Sequence, residues 1–534
     1  MNTPDAPTMR SLAQEIADQE AVIREGGGQA GQDRQHRLGR LLVRERIDLL
    51  LDPDEDFFEL GLWAAYEMYP EVGKVPAAGI VVGVGRVSGR RCMIIGNDAT
   101  VKAGAYFPQT CKKMLRAQRI AFECGLPILY LVDCAGAYLP MQDEIFPDED
   151  DFGRIFRNNS VLSAAGIPQY AAIMGNCIAG GAYLPVLSDK ILMTEGSGLY
   201  LAGPALVKAA IGQEADSEEL GGAQMHAEIS GTIDFREPDD PTCIKRIRSL
   251  VDMLPPETPP EITGAPEKDP ESVFDLVDVE GRKEYDVRDV LATIIDAGSF
   301  EEVKKDYGQT IVCGFAKVGG FRTGIVANQR KHVHSKTQGM QIGGVIYPDS
   351  ADKAARFVMD CNQTRVPILF FQDVMGFMVG RDAEQAGIIR SGAKLVNALS
   401  NSVVPKITVI IGGSFGAGNY AMCGKAYDPR FIFAWPNAKY AVMGAGQASG
   451  VIFDIHKRAA ERDGEGLNDT ELEDLRKRVH DEYVHKTDIR FGAARGWVDD
   501  IIAPDATREV LIVALELVNR ERPDARYHTG VLQV

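Results

Sequence analysis

The chain has 534 residues, 45% hydrophobic and 25% charged, which is enough for two or more ordinary domains with well-buried cores. A formal net charge of -18 and a pI near 5.0 exclude a general nucleic-acid or membrane-surface binder, while a local basic patch remains able to meet a phosphate-bearing ligand. No apolar run approaches the length of a membrane span, and "MNTPDAPTMRSLAQEIADQE" has neither the n- and h-regions of a signal peptide nor an acid-poor transit composition; the expected location is the cytoplasm.

In chain order, "SLAQEIADQEAVIREGG" predicts an exposed, charged helix. "GIVVGVGRVSG" is not GxGxxG, because its third glycine comes one residue late and a second strand follows it instead of a helix, which disfavours a dinucleotide fold. No GxxxxGK[ST] loop is present, so nothing points to ATP hydrolysis. Lys102 in "DATVKAGAYFP", followed by Lys112, Lys113, Arg116 and Arg119, forms the clearest basic cluster; it reads either as surface charge or as partners for phosphates. "QTCKKMLRAQRIAFECG" predicts a helix with Met114, Leu115, Ile120 and Ala121 on one face.

Short apolar runs then follow. "LPILYLV" ends at Asp133, and "YAAIM" leads into "GNCIAGGAYLP", where Gly180 and Gly181 read either as a tight turn or as a cradle of free backbone N–H groups for negative charge. "MLPPETPPEITGAPEKDPES", residues 253–272, has the proline and acidic content of an extended linker. It divides the chain into an N-terminal domain, 1–252, and a C-terminal domain, 273–534.

The second part repeats the first. "GVGRVSGRRCMIIGND" from Gly83 can be laid on "GFAKVGGFRTGIVANQ" from Gly314, with Asn97 on Asn328. "GLPILYLVDCAGAYLP" matches "RVPILFFQDVMGFMVG", and "GIPQYAAIMGNCIAGGAYLP" matches "VVPKITVIIGGSFGAGNYAM". Strands alternate with helices in both, which predicts α/β layers with largely buried strands, duplicated in tandem. Gly180 and Gly181 fall on Ala417 and Gly418, so each half places small residues after a strand; two such cradles suit a reaction in which two oxyanions form together.

"GGSFG" offers a rival, since it matches the GxSxG nucleophile elbow and would make Ser414 a hydrolase nucleophile. Its counterpart is Cys177 in "GNCIA", without the second glycine, as small packed residues would show. Asp133 and Asp373 end matched strands, where catalytic groups often sit, although either can equally cap a turn. Nine scattered cysteines without CxxC, and one close histidine pair, His332 and His334, predict neither disulfides nor a bound metal.

The segments "YFPQTCKKMLRAQRIA", "FPDEDDFGRIFRNN", "AGGAYLP", "LAGPALVKAA", "EELGGAQMH", "GFMVGRDAEQAG" and "IIGGSFGAGNYAMCGKAYDPRFIFAWPNA" together resemble the carboxyltransferase (beta) subunits of biotin-dependent acyl-CoA carboxylases, and the methylcrotonyl-CoA and geranyl-CoA members look nearest. The resemblance implies two tandem crotonase-like domains per chain and a hexamer whose active sites lie between the N-domain of one subunit and the C-domain of another. It implies that Gly180 and Gly181 stabilise the enolate oxygen of an acyl-CoA thioester, and Ala417 and Gly418 the ureido oxygen of biotin. It further places acyl-CoA at Lys102, Ala135, Gly136, Ala137 and Tyr200, and biotin at Phe377, Met378, Val379 and Gly416.

No AMKM-like attachment site is present, so biotin is expected on a separate biotin carboxylase and carrier subunit. "MGAGQAS", "SGTIDF" and Met375 depart from the methylcrotonyl-type pattern beside the expected pockets and leave the acyl group open. If Tyr200 closes the acyl pocket, a short branched chain fits better than a geranyl chain. The alternatives are a propionyl-CoA carboxylase beta subunit and, from "VKKDYG", "MQIGG" and "GRDAEQAG", the carboxyltransferase subunit of a glutaconyl-CoA-type decarboxylase.

Overall fold

Residues 7–254, 260–335, 339–462 and 468–520 are described by the computed structural model of the chain; within the linker of the sequence reading, 255–259 lie outside them. The apolar runs become strands because helices cover both sheet faces, so every residue of Ile128–Cys134 and of Ile368–Val374 is buried. The first sheet runs in the order Phe58–Glu59, Ile80–Val87, Arg90–Asn97, Ile128–Cys134, Gln169–Ile178, Lys190–Thr194, Phe235–Glu237, and Gly198–Tyr200 pairs beside the far end of Gln169–Ile178. The second runs Asp500–Ile501, Phe431–Ala434, Lys406–Phe415, Ile368–Val374, Phe321–Asn328, Ile311–Val318, Glu301–Val303, with Lys439–Ala441 beside Lys406–Phe415.

Each sheet is an antiparallel hairpin continued by parallel strands, and each hairpin is followed by a 17-residue helix that starts with proline, Pro108–Cys124 and Pro348–Thr364. Proline fits the first helical turn, where its missing N–H has no partner to lose. Thr110 and Ser350 hydroxyls accept the N–H groups of Phe107 and Tyr347, closing the two helix starts in the same way. Gly125 ends the first helix in the left-handed region, at φ 63°. The duplicated α/β architecture expected from the sequence is thus what the chain adopts. Among the described residues, no helix is long and apolar enough to cross a membrane.

The halves share one continuous core: Met114 and Ile120 of the first belong to the same apolar cluster as Phe431, Phe433 and Trp435 of the second. Phe58 meets Phe431 and Phe433 edge-on, each at 6.0 Å between ring centres. At the centre of this contact is the buried carboxylate of Asp499. Arg116 grips it from the first half at 2.7–2.9 Å and Lys425 from the second at 2.7 Å. Burial by itself would raise this carboxyl, but Arg116 and Lys425 overcome that and hold it well below the ordinary aspartate range.

Asp499→Asn leaves Arg116 and Lys425 buried beside a neutral partner and is expected to cost about 3–5 kcal/mol in denaturant unfolding. Because the folded pKa is depressed, the wild-type contribution is complete above the ordinary aspartate value near 3.8 and disappears as pH falls below it toward the folded value. Acid unfolding of the wild type should therefore steepen below about pH 4, and the Asn variant should lack that component.

Candidate active site

Both cradles form where a long strand leaves its sheet. Gln169–Ile178 runs into Ala179, whose φ of 58° is left-handed, and then into the short turn Ala179–Ala182. Lys406–Phe415 runs into Gly416, φ 54°, and the helix Gly416–Ala421. The same backbone reversal thus occurs at matched positions, once with glycine and once with alanine, for which the left-handed region costs roughly 1 kcal/mol.

Small residues are required by close approach. A Cβ at Gly181 would lie 3.3 Å from Cys134 Sγ, one at Gly180 2.9 Å from the Phe152 ring, and one at Gly418 2.6 Å from Val374 Cγ2 and 3.2 Å from Gly376 Cα. Each turn therefore lies against the loop that ends the neighbouring strand. In the first half that loop is Cys134–Ala137: Gly136 has φ 88°, and a Cβ there would be 3.1 Å from the Ile178 carbonyl oxygen. Tyr106 N–H donates to the Gly136 carbonyl and Tyr138 N–H to the Tyr106 carbonyl, so the bridge leaves the N–H of Ala137 on its opposite side.

The second half repeats this arrangement. Met375 N–H donates to the Gly344 carbonyl at 2.7 Å and Met378 N–H to that of Ile346 at 2.8 Å, while Phe377 pairs with Ile346 and its ring packs in the space that Gly392 leaves open. Val379, 76% exposed, and Met375 stand at the rim. The chain thus gathers Gly180, Gly181 and Ala135–Ala137 at one place, and Gly416, Ala417, Gly418 and Phe377–Val379 at another.

Tyr200 adjoins the first cradle through its strand, where it pairs with Ile178. Its hydroxyl meets Ser217 Oγ at 2.6 Å and its ring lies against Gly198 and Gly221, so most of the side chain is packed. Lys102 is exposed in the turn Lys102–Gly104, its ammonium donating to the Val72 carbonyl. The lysines and arginines after it are each engaged within the chain. Lys112 donates to the Arg495 carbonyl, Arg116 holds Asp499, Arg119 pairs with Asp428, and Lys113 is buried on the carbonyls of Ala77 and Ile80. Burial pushes the Lys113 ammonium down to about 7. Lys112, Arg116 and Arg119 face the second half because their helix packs there, which sequence spacing does not reveal. A groove of about 720 Å³ runs along this contact past Lys112, Arg116 and Asp499, and its lining includes none of the cradle residues.

The two strand-end aspartates lie beneath the cradles. Asp133 accepts the Asn176 N–H at 3.2 Å, and Asp373 accepts the Gly413 N–H at 2.8 Å and the Tyr285 hydroxyl at 2.9 Å. Each sits at a register shift between its strand and the next, and a Cβ on Gly175 or Gly412 would collide with the carboxylate. They shape the strand ends from below. Burial raises the Asp133 carboxyl, with Arg46 and Arg40 opposing.

Ser414 is not an exposed nucleophile: it is fully buried, donates to Gln372 Oε1 at 2.6 Å and accepts from Asn419 Nδ2 at 2.7 Å, with no histidine among these partners. Cys177 is equally buried, which pushes its thiol well up. Asn97 and Asn328, whose side-chain oxygens accept the N–H groups of Asp133 and Asp373, support the same strand ends; their coincidence in the repeat was the signal that could have marked them. Among the described residues, no cluster of His, Cys, Asp or Glu is placed to hold a metal ion.

The carboxyl transferase domain family matches residues 34–529. The chain is 42% identical over 531 residues to the mitochondrial methylcrotonoyl-CoA carboxylase beta chain of Arabidopsis thaliana, covering 97% of this chain and 88% of that one. It is 43% identical over 513 residues to the biotin-dependent 3-methylcrotonyl-coenzyme A carboxylase beta1 subunit of Mycobacterium tuberculosis, covering 95% and 94%. The solved beta subunit of geranyl-CoA carboxylase from P. aeruginosa superposes with a TM-score of 0.81 at 34% identity, covering 98% of this chain and 94% of that one. The chain belongs to the carboxyl transferase family and is a carboxyltransferase subunit of the biotin-dependent acyl-CoA carboxylase type.

The spacing of the cradles predicts unequal tolerance. Gly418→Ala puts its methyl group into Val374 and is expected to lower both the melting temperature and carboxylation more than Gly181→Ala, whose nearest neighbours are the Cys134 sulfur at 3.3 Å and Gly136 Cα at 3.8 Å. Val374→Ala in the Gly418→Ala background should recover stability. Equal effects of the two single variants in thermal unfolding and turnover assays would contradict the packing described.

Proposed function

We propose that this carboxyltransferase moves a carboxyl group from biotin, carried on a separate biotin carboxylase and carrier subunit, to a short branched or unsaturated acyl-CoA of the 3-methylcrotonyl type. The observation that carries this reading is the duplicated cradle: two strand-to-turn junctions, each with left-handed backbone and a glycine pressed against a neighbouring loop. The methylcrotonyl relatives and the geranyl-CoA carboxylase subunit support the substrate class.

In this reading the amides of Gly180 and Gly181, joined by the Ala135–Ala137 loop, hold the thioester oxygen as it gains negative charge, and Lys102 and Tyr200 border the same ligand. The amides of Ala417 and Gly418, with Gly416 and Phe377–Val379, hold the ureido oxygen of biotin. Biotin, when bound, supplies the carboxyl group and a base for the acidified α-proton, so the protein needs no side-chain base. Fixed backbone donors stabilise both charges without reorganising, and removing one such donor typically costs about 10²–10³ in rate.

Exposed apolar side chains adjoin both cradles in the chain, Leu139, Tyr183 and Leu201 at the first and Met375, Tyr420 and Val442 at the second. Such rims favour mutual coverage of the two faces in an oligomer, with a hexamer as the expected assembly and the cytoplasm as its place. Light scattering of the purified chain measures that mass directly.

The deciding experiment is carboxylation of a panel of acyl-CoAs by the chain with its biotin subunit, bicarbonate and ATP. Turnover of 3-methylcrotonyl-CoA is expected. Turnover of only propionyl-CoA moves the substrate, and biotin-dependent CO2 loss from glutaconyl-CoA without carboxylation of any thioester overturns the direction. Tyr200→Gly is expected to widen acceptance toward longer acyl chains; unchanged selectivity would remove Tyr200 from the pocket wall.

A further inference from the structure

On the side away from Cys134, which pairs with Cys177, the strand end that delivers the first cradle is flanked by the three residues Gly198–Tyr200, pairing Gly198 with Asn176, Leu199 with Cys177 and Tyr200 with Ile178. So short a strand has little pairing of its own, and its position depends on what holds its other side. That side is the segment 217–230. Gly222 bridges Gly198, Ser217 bonds the Tyr200 hydroxyl, and His226 Nε2 lies 2.8 Å from the Leu199 carbonyl oxygen.

His226 is buried, and its other ring nitrogen meets Ser230 Oγ at 2.9 Å. A carbonyl oxygen can only accept, so Nε2–H donates to Leu199, and Nδ1 faces the Ser230 hydroxyl, which also meets Thr232 Oγ1 at 2.8 Å. Both ring nitrogens are thereby used, and the ring is fixed in plane. The residues His226–Ser230 form a π-helical turn, a feature that costs regularity and turns up disproportionately at functional sites.

We infer that His226 is a positioning residue for acyl transfer: its bond to Leu199 sets the strand Gly198–Tyr200, and through it both the Ala179–Gly181 backbone and the place of Tyr200. The inference rests on reading the first cradle as the acyl-CoA side. A ring that acts only there changes the handling of the thioester and leaves that of the biotin partner untouched. Misplacement of about 1 Å is enough to cost 10²-fold in rate.

The test compares wild type, His226→Ala and His226→Gln, each with the biotin subunit, on short and long acyl-CoAs. His226→Ala is expected to lower kcat at least tenfold and shift the ratio of short-chain to long-chain turnover at least threefold, with the KM for the biotin-bearing subunit within twofold of wild type. His226→Gln keeps an N–H donor and is expected to recover a third or more of the loss. Hydrogen exchange supplies an activity-independent reading: amides of 175–181 should exchange at least tenfold faster in His226→Ala and near the wild-type rate in His226→Gln.

Unchanged kcat, selectivity and exchange in His226→Ala would overturn the inference. If that variant does not fold, His226→Phe, which keeps a buried ring but removes the donor to the Leu199 carbonyl, takes its place with the same expected direction, and no change in exchange or selectivity there overturns it as well. A wild type that carboxylates no thioester defeats the acyl-CoA reading itself, while the exchange rates still decide whether His226 holds the strand.

Discussion

A buried carboxylate at the end of a strand governs the geometry of both cradles. Asp133 and Asp373 each take a backbone N–H from the neighbouring strand just before that strand turns out of the sheet, at the point where the pairing register slips. Strands 4.7–4.9 Å apart cannot release their amides toward a ligand while the ladder stays regular. The slip interrupts the ladder, which resumes for one pair, Cys134 with Cys177 and Val374 with Ser414; the aspartate satisfies the amide left behind, and the chain then enters the left-handed region at Ala179 and Gly416. Glycine at 175 and 412 follows from the same constraint, since a Cβ there would occupy the carboxylate's place.

The rest of the molecule keeps these strand ends still. The two sheets do not simply follow one another along the chain; they share a core through Phe58, Phe431 and Phe433 and are locked by Arg116 and Lys425 on Asp499. A charge buried this deeply is costly to leave unpaired, so the contact has one register. Arg86 and Arg91 on Glu516 add a second tie between the first sheet and the C-terminal helix Thr507–Val518. These contacts tie the two sheets into one frame, which suits the proposed catalysis by fixed backbone dipoles.

Several sequence signals left a residue's partner open. The basic run from Lys112 to Arg119 stands out in an acidic chain, yet a helix presents residues to whatever packs on it, and for Lys112, Arg116 and Arg119 that is the second half of the same chain. GxSxG in "GGSFG" has the strand-before-turn setting of a nucleophile elbow, but Ser414 points into the sheet and is consumed by Gln372 and Asn419. His226 went unremarked except as part of a family motif, because a lone histidine has no periodicity to betray it and its partner, the Leu199 carbonyl, is a backbone atom.

The sequence by itself determined the α/β class, the duplication and the positions of both cradles. Those follow from local rules: apolar runs bounded by glycine, proline at helix starts, and self-similarity in which Gly180 and Gly181 fall on Ala417 and Gly418. Tertiary structure alone decided which polar groups face the site and which lie beneath it. Asp133 and Asp373 went under the cradles, Lys112, Arg116 and Arg119 of Pro108–Cys124 went to the contact between the halves, and Tyr200 came beside Ile178. The physical reason is that a side chain's role is set by what surrounds it in space, through burial and pairing across residues hundreds apart in sequence, as with Arg116 and Asp499, and no local pattern encodes that separation.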